Sequence, residues 1–233
     1  MSTRPVAMVT AASRGIGAAC ARQLSADGYD VAVMARSEHV HSMAKEIDGL
    51  PFQGDLTSPH DISRFVKAVQ ERWGRLDVLV NNAGDAAKGD LETLTDDAWL
   101  GGFELLFMSV LRTSREALPL MRSSGGGVIV NISAADGLEP TLMFPVSGSM
   151  RAAVSALTKL MARRFGPEHI RVNSVLPWVV LDPDSDWESS EIPLSRPATY
   201  EQVAGVVSFL CSSAGSYLTG VNLPVDGGWS KGL

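Results

Sequence analysis

The sequence predicts an α/β protein: one doubly wound domain over residues 1–233, with a seven-stranded, mainly parallel sheet and helices on both of its faces. Three observations carry this. Apolar runs of strand length alternate with amphipathic segments from end to end, the order that produces strand–helix–strand units. The runs are apolar at successive rather than alternate positions, as strands buried on both faces are. No repeat, low-complexity tract or linker-like stretch divides the chain.

Each element follows from local signals. Val6–Thr10 is a buried strand, and Gly15 to Asp27 a helix that stops before Gly28. Asp30–Ala35 is a second apolar strand, followed by a weakly periodic helix from His39 to Ile47 and a short strand, Pro51–Gln53. The next helix begins after Ser58-Pro59, with proline in its first turn, and sets Ile62, Phe65, Val66, Val69 and Trp73 on one face. Leu76–Val80 is the fourth strand. A long helix follows Thr95-Asp96-Asp97 and runs to about Met121. Gly125-Gly126-Gly127 turns the chain into the fifth strand, Val128–Ile132. A helix from Ser147 to Phe165, ended by Gly166-Pro167, leads to the sixth strand, Ile170–Leu176. Residues 182–199 are rich in Asp, Ser and Pro and read as a loop. Helix Tyr200–Cys211 and strand Val221–Val225 close the pattern.

Composition narrows the function classes. A chain of 233 residues with 45% hydrophobic and 20% charged residues is ordinary globular material, not a disordered or fibrous one. Its net charge of −6 speaks against a nucleic-acid partner, which calls for a basic surface. The two cysteines, Cys20 and Cys211, have no metal-binding spacing and suit a reducing compartment. No stretch reaches the length of a membrane span. The expectation is a cytoplasmic protein with a small-molecule substrate.

The chemistry begins where the first strand runs into Thr10-Ala11-Ala12-Ser13-Arg14-Gly15-Ile16-Gly17 and then a helix. Glycines at such a turn let the backbone approach a pyrophosphate, and the helix N-terminus offers free N–H groups and a positive dipole end. This Rossmann-type segment resembles the TGxxxGIG turn of the short-chain dehydrogenase/reductase family, with Ala11 in place of the first glycine. Four further matches follow in order: Asn81-Asn82-Ala83-Gly84, Asn131-Ile132-Ser133, Arg171-Val172-Asn173-Ser174-Val175-Leu176-Pro177, and Tyr217-Leu218-Thr219-Gly220 with Val225-Asp226-Gly227-Gly228.

An acid at the end of the second strand would bind the ribose hydroxyls of NAD. That end reads Met34-Ala35-Arg36-Ser37. Arg36 and Arg14 suit a 2′-phosphate instead, and the resemblance points the same way, to NADP(H). It further implies that Ser13, Gly15, Ile16 and Gly17 hold the diphosphate. Asp55 and Leu56 would flank the adenine, and Asn81, Ala83 and Gly84 would line the adenosine side.

The resemblance also implies an Asn–Ser–Tyr–Lys set, and this chain departs from it. Counting back seven residues from Thr158 puts Arg151 at the lysine and Ser147 at the tyrosine; Ala134 falls at the serine and Leu106 at the asparagine. Ser133, next to Ala134, is the remaining hydroxyl at the strand end. Trp178 follows Pro177 where the family has glycine, a place where an indole would crowd a nicotinamide, and Asp182 takes the position of a threonine. Ser147, Arg151 and Ser133 are therefore the candidate catalytic residues. A serine hydroxyl is a far weaker acid than a phenol, and losing a positioned acid costs about 10²–10⁴ in rate.

Three readings stay open: an atypical NADP(H)-dependent oxidoreductase, a nucleotide-binding sensor or subunit without chemistry, and a non-redox lyase or isomerase. The family's halohydrin dehalogenases carry Arg for Lys, but they keep the tyrosine and rebuild the nucleotide turn; this chain keeps the turn. The loop acids Asp136, Glu139 and Asp182 read as solvated, and His39, His41, His60 and His169 as surface residues away from the cleft. The long helix is apolar nearly all round at Leu105–Leu111. Such a helix is buried on several sides, and by resemblance it and the Ser147 helix build a homodimer or homotetramer.

Overall fold

The computed structural model describes residues 3–181 and 191–232; Asp182 and the first half of the expected 182–199 loop lie outside them. Its sheet has seven parallel strands in the order β3-β2-β1-β4-β5-β6-β7. They are β1 (Val6–Thr10), β2 (Asp30–Ala35), β3 (Leu50–Gln53), β4 (Val78–Asn81), β5 (Gly127–Ile132), β6 (Ile170–Pro177) and β7 (Asn222–Val225). Every residue of β1 and β4 is buried, as the unbroken apolar runs require. One hydrophobic core lies on each face, around Val9, Leu24 and Val207 on one side and Met8, Phe65 and Met121 on the other.

The helices are α1 (Gly15–Ala26), α2 (His39–Glu46), α3 (Pro59–Trp73), α4 (Asp96–Gly102), α5 (Ser109–Ser123), α6 (Pro145–Phe165) and α7 (Tyr200–Cys211). Local chemistry sets their ends. Ser58 accepts from Asp61 N at 3.2 Å to start α3, and Gly74, at φ 68°, ends it. Thr199 and Gln202 form a reciprocal capping box on α7. Helix α6 starts at Pro145, two residues before the sequence places it, with proline in the first turn.

Two expectations need correction. The fourth strand starts at Val78, not Leu76. Asp77 turns its carboxylate to Val6 N (2.7 Å) and Arg75, and Leu76 N donates to Ser124 Oγ (2.9 Å), so these residues serve the strand's entry. The long helix is not uniformly α-helical. Between α4 and α5, Phe103–Met108 forms a π-helical turn with Leu106 buried inside. The Glu104–Arg112 ion pair and the bond from Ser109 Oγ to Leu105 O (2.5 Å) brace it. Such turns are rare and cluster at functional sites.

Candidate active site

The strand order reverses between β2-β1 and β1-β4, and a crevice opens at that point beyond the carboxyl ends of the strands. It is a cleft of about 810 Å3. One wall is the turn after β1, with Ser13, Arg14, Gly15 and Ile16; a second is the end of β2, with Arg36, Ser37 and His39; a third brings Asp55 and Leu56 from beyond β3. Asn82, Ala83, Gly84 and Asp85, after β4, and Leu105, Val180 and Tyr200 complete the lining.

The turn itself is tightly built. Gly15 adopts φ 60°. A Cβ on Gly17 would lie 2.6 Å from Ala11 O and 2.7 Å from Asn82 Nδ2, so Gly17 holds the helix against the turn from behind rather than lining the cleft. Ala11 sits at φ 47°, a conformation that costs an L-residue roughly 1–2 kcal/mol; the bonds from Ala12 N to Met34 O (3.1 Å) and Asn82 Nδ2 to Ala11 O (3.2 Å) hold it there. Among the described residues no side chain caps α1, so its first-turn amides and dipole face the cleft that Gly15 and Ile16 line. Among the described residues neither Arg14 nor Arg36 makes an ion pair, and both are exposed. A glycine cradle, an uncapped helix start and two unpaired guanidinium groups fit a dinucleotide diphosphate and an added phosphate.

Asn81 is placed differently. It is buried and outside the cleft lining, and its Nδ2 donates to Asn131 Oδ1 (2.9 Å) and Ser114 Oγ (3.1 Å). Asn131 Nδ2 donates on to Thr158 Oγ1 (2.9 Å), which meets Ser174 Oγ at 2.7 Å. This chain of polar side chains ties β4, α5, β5, α6 and β6 together behind the cleft. Asn82, Tyr200 and His39 line the cleft without having been singled out for it. His39 corrects the expectation that all four histidines lie away from the cleft; it reaches the rim because α2 starts directly after the Arg36 turn.

Ser133, Ser147 and Arg151 meet at the end of β5, although none lines the cleft. Arg151 is buried; its Nη1 donates to Ile132 O (2.9 Å) and its Nε to Ser147 Oγ (3.3 Å). Ser133 N continues the sheet ladder to Val175 O (2.8 Å), and its hydroxyl lies 3.5 Å from Arg151 O, the outer limit for such a bond. Burial lowers the Arg151 guanidinium below its ordinary range, while Asp136 and Asp85 pull it back up. Asp85 lines the cleft, so this cluster and the cleft share a charged neighbour.

Asp136 overturns the reading of the loop acids as solvated. It is 2% exposed, because the 3-10 turn Ala135–Gly137 packs onto α6. Burial raises its carboxyl above the usual carboxylate range; Arg151, the Ser147 hydroxyl and a backbone N–H at Gly137 act against that, and Asp85 adds to it. Glu139 also has a structural partner set, accepting from Lys231 N and, at 2.6 Å, Gly232 N. Trp178 stacks on Trp229 with centroids 3.7 Å apart and meets Phe144 edge-on at 6.3 Å. Lys88 lies 5.0 Å above the Phe144 ring. The indole is therefore turned onto the chain's C-terminal segment and is not part of the cleft wall.

Comparison with known proteins gives a consistent result. Residues 10–230 match the family model described as enoyl-(acyl carrier protein) reductase. The trans-4-hydroxycyclohexanecarboxylate dehydrogenase of Sinomonas cyclohexanicum is 34% identical over 242 residues, covering 97% of this chain and 93% of its own. The 3-oxoacyl-(acyl-carrier-protein) reductase FabG of Staphylococcus aureus is 32% identical over 237 residues, covering 95% and 96%. Among solved structures, L-sorbose reductase from Gluconobacter frateurii, complexed with NADPH and L-sorbose, superposes with a TM-score of 0.94 at 29% identity, over 98% of this chain and 97% of that one. Among the described residues, no helix is long and apolar enough to cross a membrane.

Proposed function

The chain belongs to the short-chain dehydrogenase/reductase family, and from that premise we propose that it is an NADP(H)-dependent oxidoreductase of a small carbonyl or related unsaturated compound, working without the family's tyrosine–lysine pair. The observation that supports this best is the pairing of a glycine-built diphosphate cradle with a couple of buried Arg151 and half-buried Ser147. Ser13, Gly15 and Ile16 hold the diphosphate, with Gly17 seating the helix start behind them; Arg14 and Arg36 take the 2′-phosphate. Asp55 and Leu56 flank the adenine, and Ala83 and Gly84 pass the adenosine side, with Asn81 fixing the strand end beneath them. When bound, the dinucleotide supplies the hydride to the substrate carbon. Arg151 holds the Ser147 hydroxyl, which meets the substrate oxygen, and Ser133 anchors α6 to the end of β5.

Calorimetry tests the first half. NADPH is expected to bind more tightly than NADH, and Arg36→Ala to narrow that preference by about 10-fold, the low end for one charge-assisted phosphate contact. Indifference to both dinucleotides defeats the reading. A panel of ketones, enones and imines, followed by NADPH absorbance, tests the second half. Binding without any turnover favours a nucleotide sensor, the reading that the missing phenol supports. Turnover with no nucleotide present favours a lyase or isomerase.

The exposed apolar side chains Leu100 and Phe103 on the long helix and Leu160 on α6 support the same chain pairing as a homodimer or homotetramer. Light scattering is expected to return two or four times the 24.8 kDa of one chain; a monomer mass refutes it.

A further inference from the structure

A reduction without a phenol needs another proton, and one buried acid lies beside Arg151 and Ser147. The Asp136 side chain is almost fully buried, and among the described residues its Oδ1 has no hydrogen-bond partner. An orphaned buried carboxylate oxygen is costly, whereas a protonated carboxyl largely escapes that cost.

The packing fixes its neighbours. A Cβ on Gly137 would lie 2.9 Å from the Arg151 carbonyl carbon, and one on Gly148 3.1 Å from Asp136 O. The 3-10 turn is thus pressed onto α6 along Gly148–Ala152, on the stretch that carries Ser147 and Arg151. The charged groups facing Asp136 are Arg151 from α6 and Asp85 from the segment after β4.

Counting donors decides how the three groups divide their protons. A serine hydroxyl has one proton and two lone pairs. The Arg151 Nε–H occupies one lone pair of Ser147 Oγ. An ionised Asp136 would take the hydroxyl proton for itself. A protonated Asp136 donates to the second lone pair and leaves the hydroxyl proton free on the side where Ser147 is partly exposed.

We propose that Asp136 stores the proton of this site and passes it through Ser147 Oγ to the carbonyl oxygen of the substrate. This rests on the oxidoreductase reading above. The reduced nicotinamide is the co-reactant that brings two electrons and one hydrogen to the carbonyl carbon. As the C=O π pair moves to oxygen, that oxygen takes the Ser147 hydroxyl proton, and Ser147 Oγ takes the Asp136 proton. The carboxylate left behind faces Arg151 until solvent returns a proton.

Infrared difference spectra of the whole protein at neutral pH are expected to contain a carboxylic-acid C=O band that Asp136→Asn removes and Ser147→Ala shifts. Stability follows the same group. A carboxyl raised in the fold stabilises fully below its unfolded pKa, and that contribution is lost as pH rises through the folded value. The melting temperature of Asp136→Asn therefore gains on the wild type with rising pH in that window. In turnover, Asp136→Asn lowers kcat/KM by about 10²–10⁴ and removes the wild-type ionisation from the pH profile, with NADPH affinity retained. No acid band at neutral pH, or an unaltered pH profile, overturns the proposal. Should the wild type fail to bind NADPH, the redox role falls with the reading above, and a persisting band shows that the proton storage itself was correctly assigned.

Discussion

Gly17→Ala is expected to weaken NADPH binding by about 100-fold, equivalent to about 2.7 kcal/mol, and to lower the melting temperature by about 4–8 °C. The reason is steric and local. The added methyl would lie 2.6 Å from Ala11 O, 2.7 Å from Asn82 Nδ2 and 3.0 Å from Ala12 Cα. Two of those three atoms are backbone, so no side-chain rotation relieves the clash, and overpacking of this kind costs about 1–3 kcal/mol. The turn has little freedom to yield, since Ala11 is already in a left-handed conformation. The helix start must back away, and with it the amides proposed to hold the diphosphate. Gly205→Ala is the control: a Cβ there meets nothing within 4 Å, so NADPH affinity should be unchanged. Titration calorimetry and thermal melts read both. An unaltered affinity in Gly17→Ala would mean that the dinucleotide does not use this turn.

What the sequence shows and what it hides follow from range. Strands announce themselves because both faces are buried, so Val6–Thr10 and Asp30–Ala35 match the structure residue for residue. The turn after β1 is legible because its glycines are needed within one short segment. The π-helical turn at Phe103–Met108 is not, since one extra residue in a helical turn alters no composition and hardly disturbs an all-apolar face. Asp136 reads as a loop acid because its partners, Ser147 and Arg151, are eleven and fifteen residues further on and meet it only once the 3-10 turn docks on α6. Trp178 shows the same limit: its stacking partner is Trp229, brought back by the last strand. Asn81 is an instructive middle case. Its motif was visible, but which way its side chain turns depended on Asn131, fifty residues away.

Asn131→Leu is expected to cost about 3 kcal/mol and to lower the melting temperature by about 6–12 °C, with NADPH affinity nearly unchanged. Asn131 is fully buried and sits at the centre of the polar chain behind the cleft. Its Oδ1 accepts from Asn81 Nδ2 and its Nδ2 donates to Thr158 Oγ1, so each end satisfies a buried group on a neighbouring element. Leucine has nearly the same volume but offers neither end a partner. Among the described residues, the Asn81 side chain keeps Ser114 and the Thr158 side chain keeps Ser174. Each weakened buried group carries a penalty of about 1–3 kcal/mol, and the low dielectric that strengthens an intact network enlarges the loss when it is broken. Thr158→Val removes the next link, so the two changes share one bond. The double variant should therefore lose less than the sum of the single variants, by about 0.5–3 kcal/mol. Strict additivity in denaturant melts would show that the side chains act independently, and that the strand ends bearing Asn82 and Ser133 are held by the sheet alone.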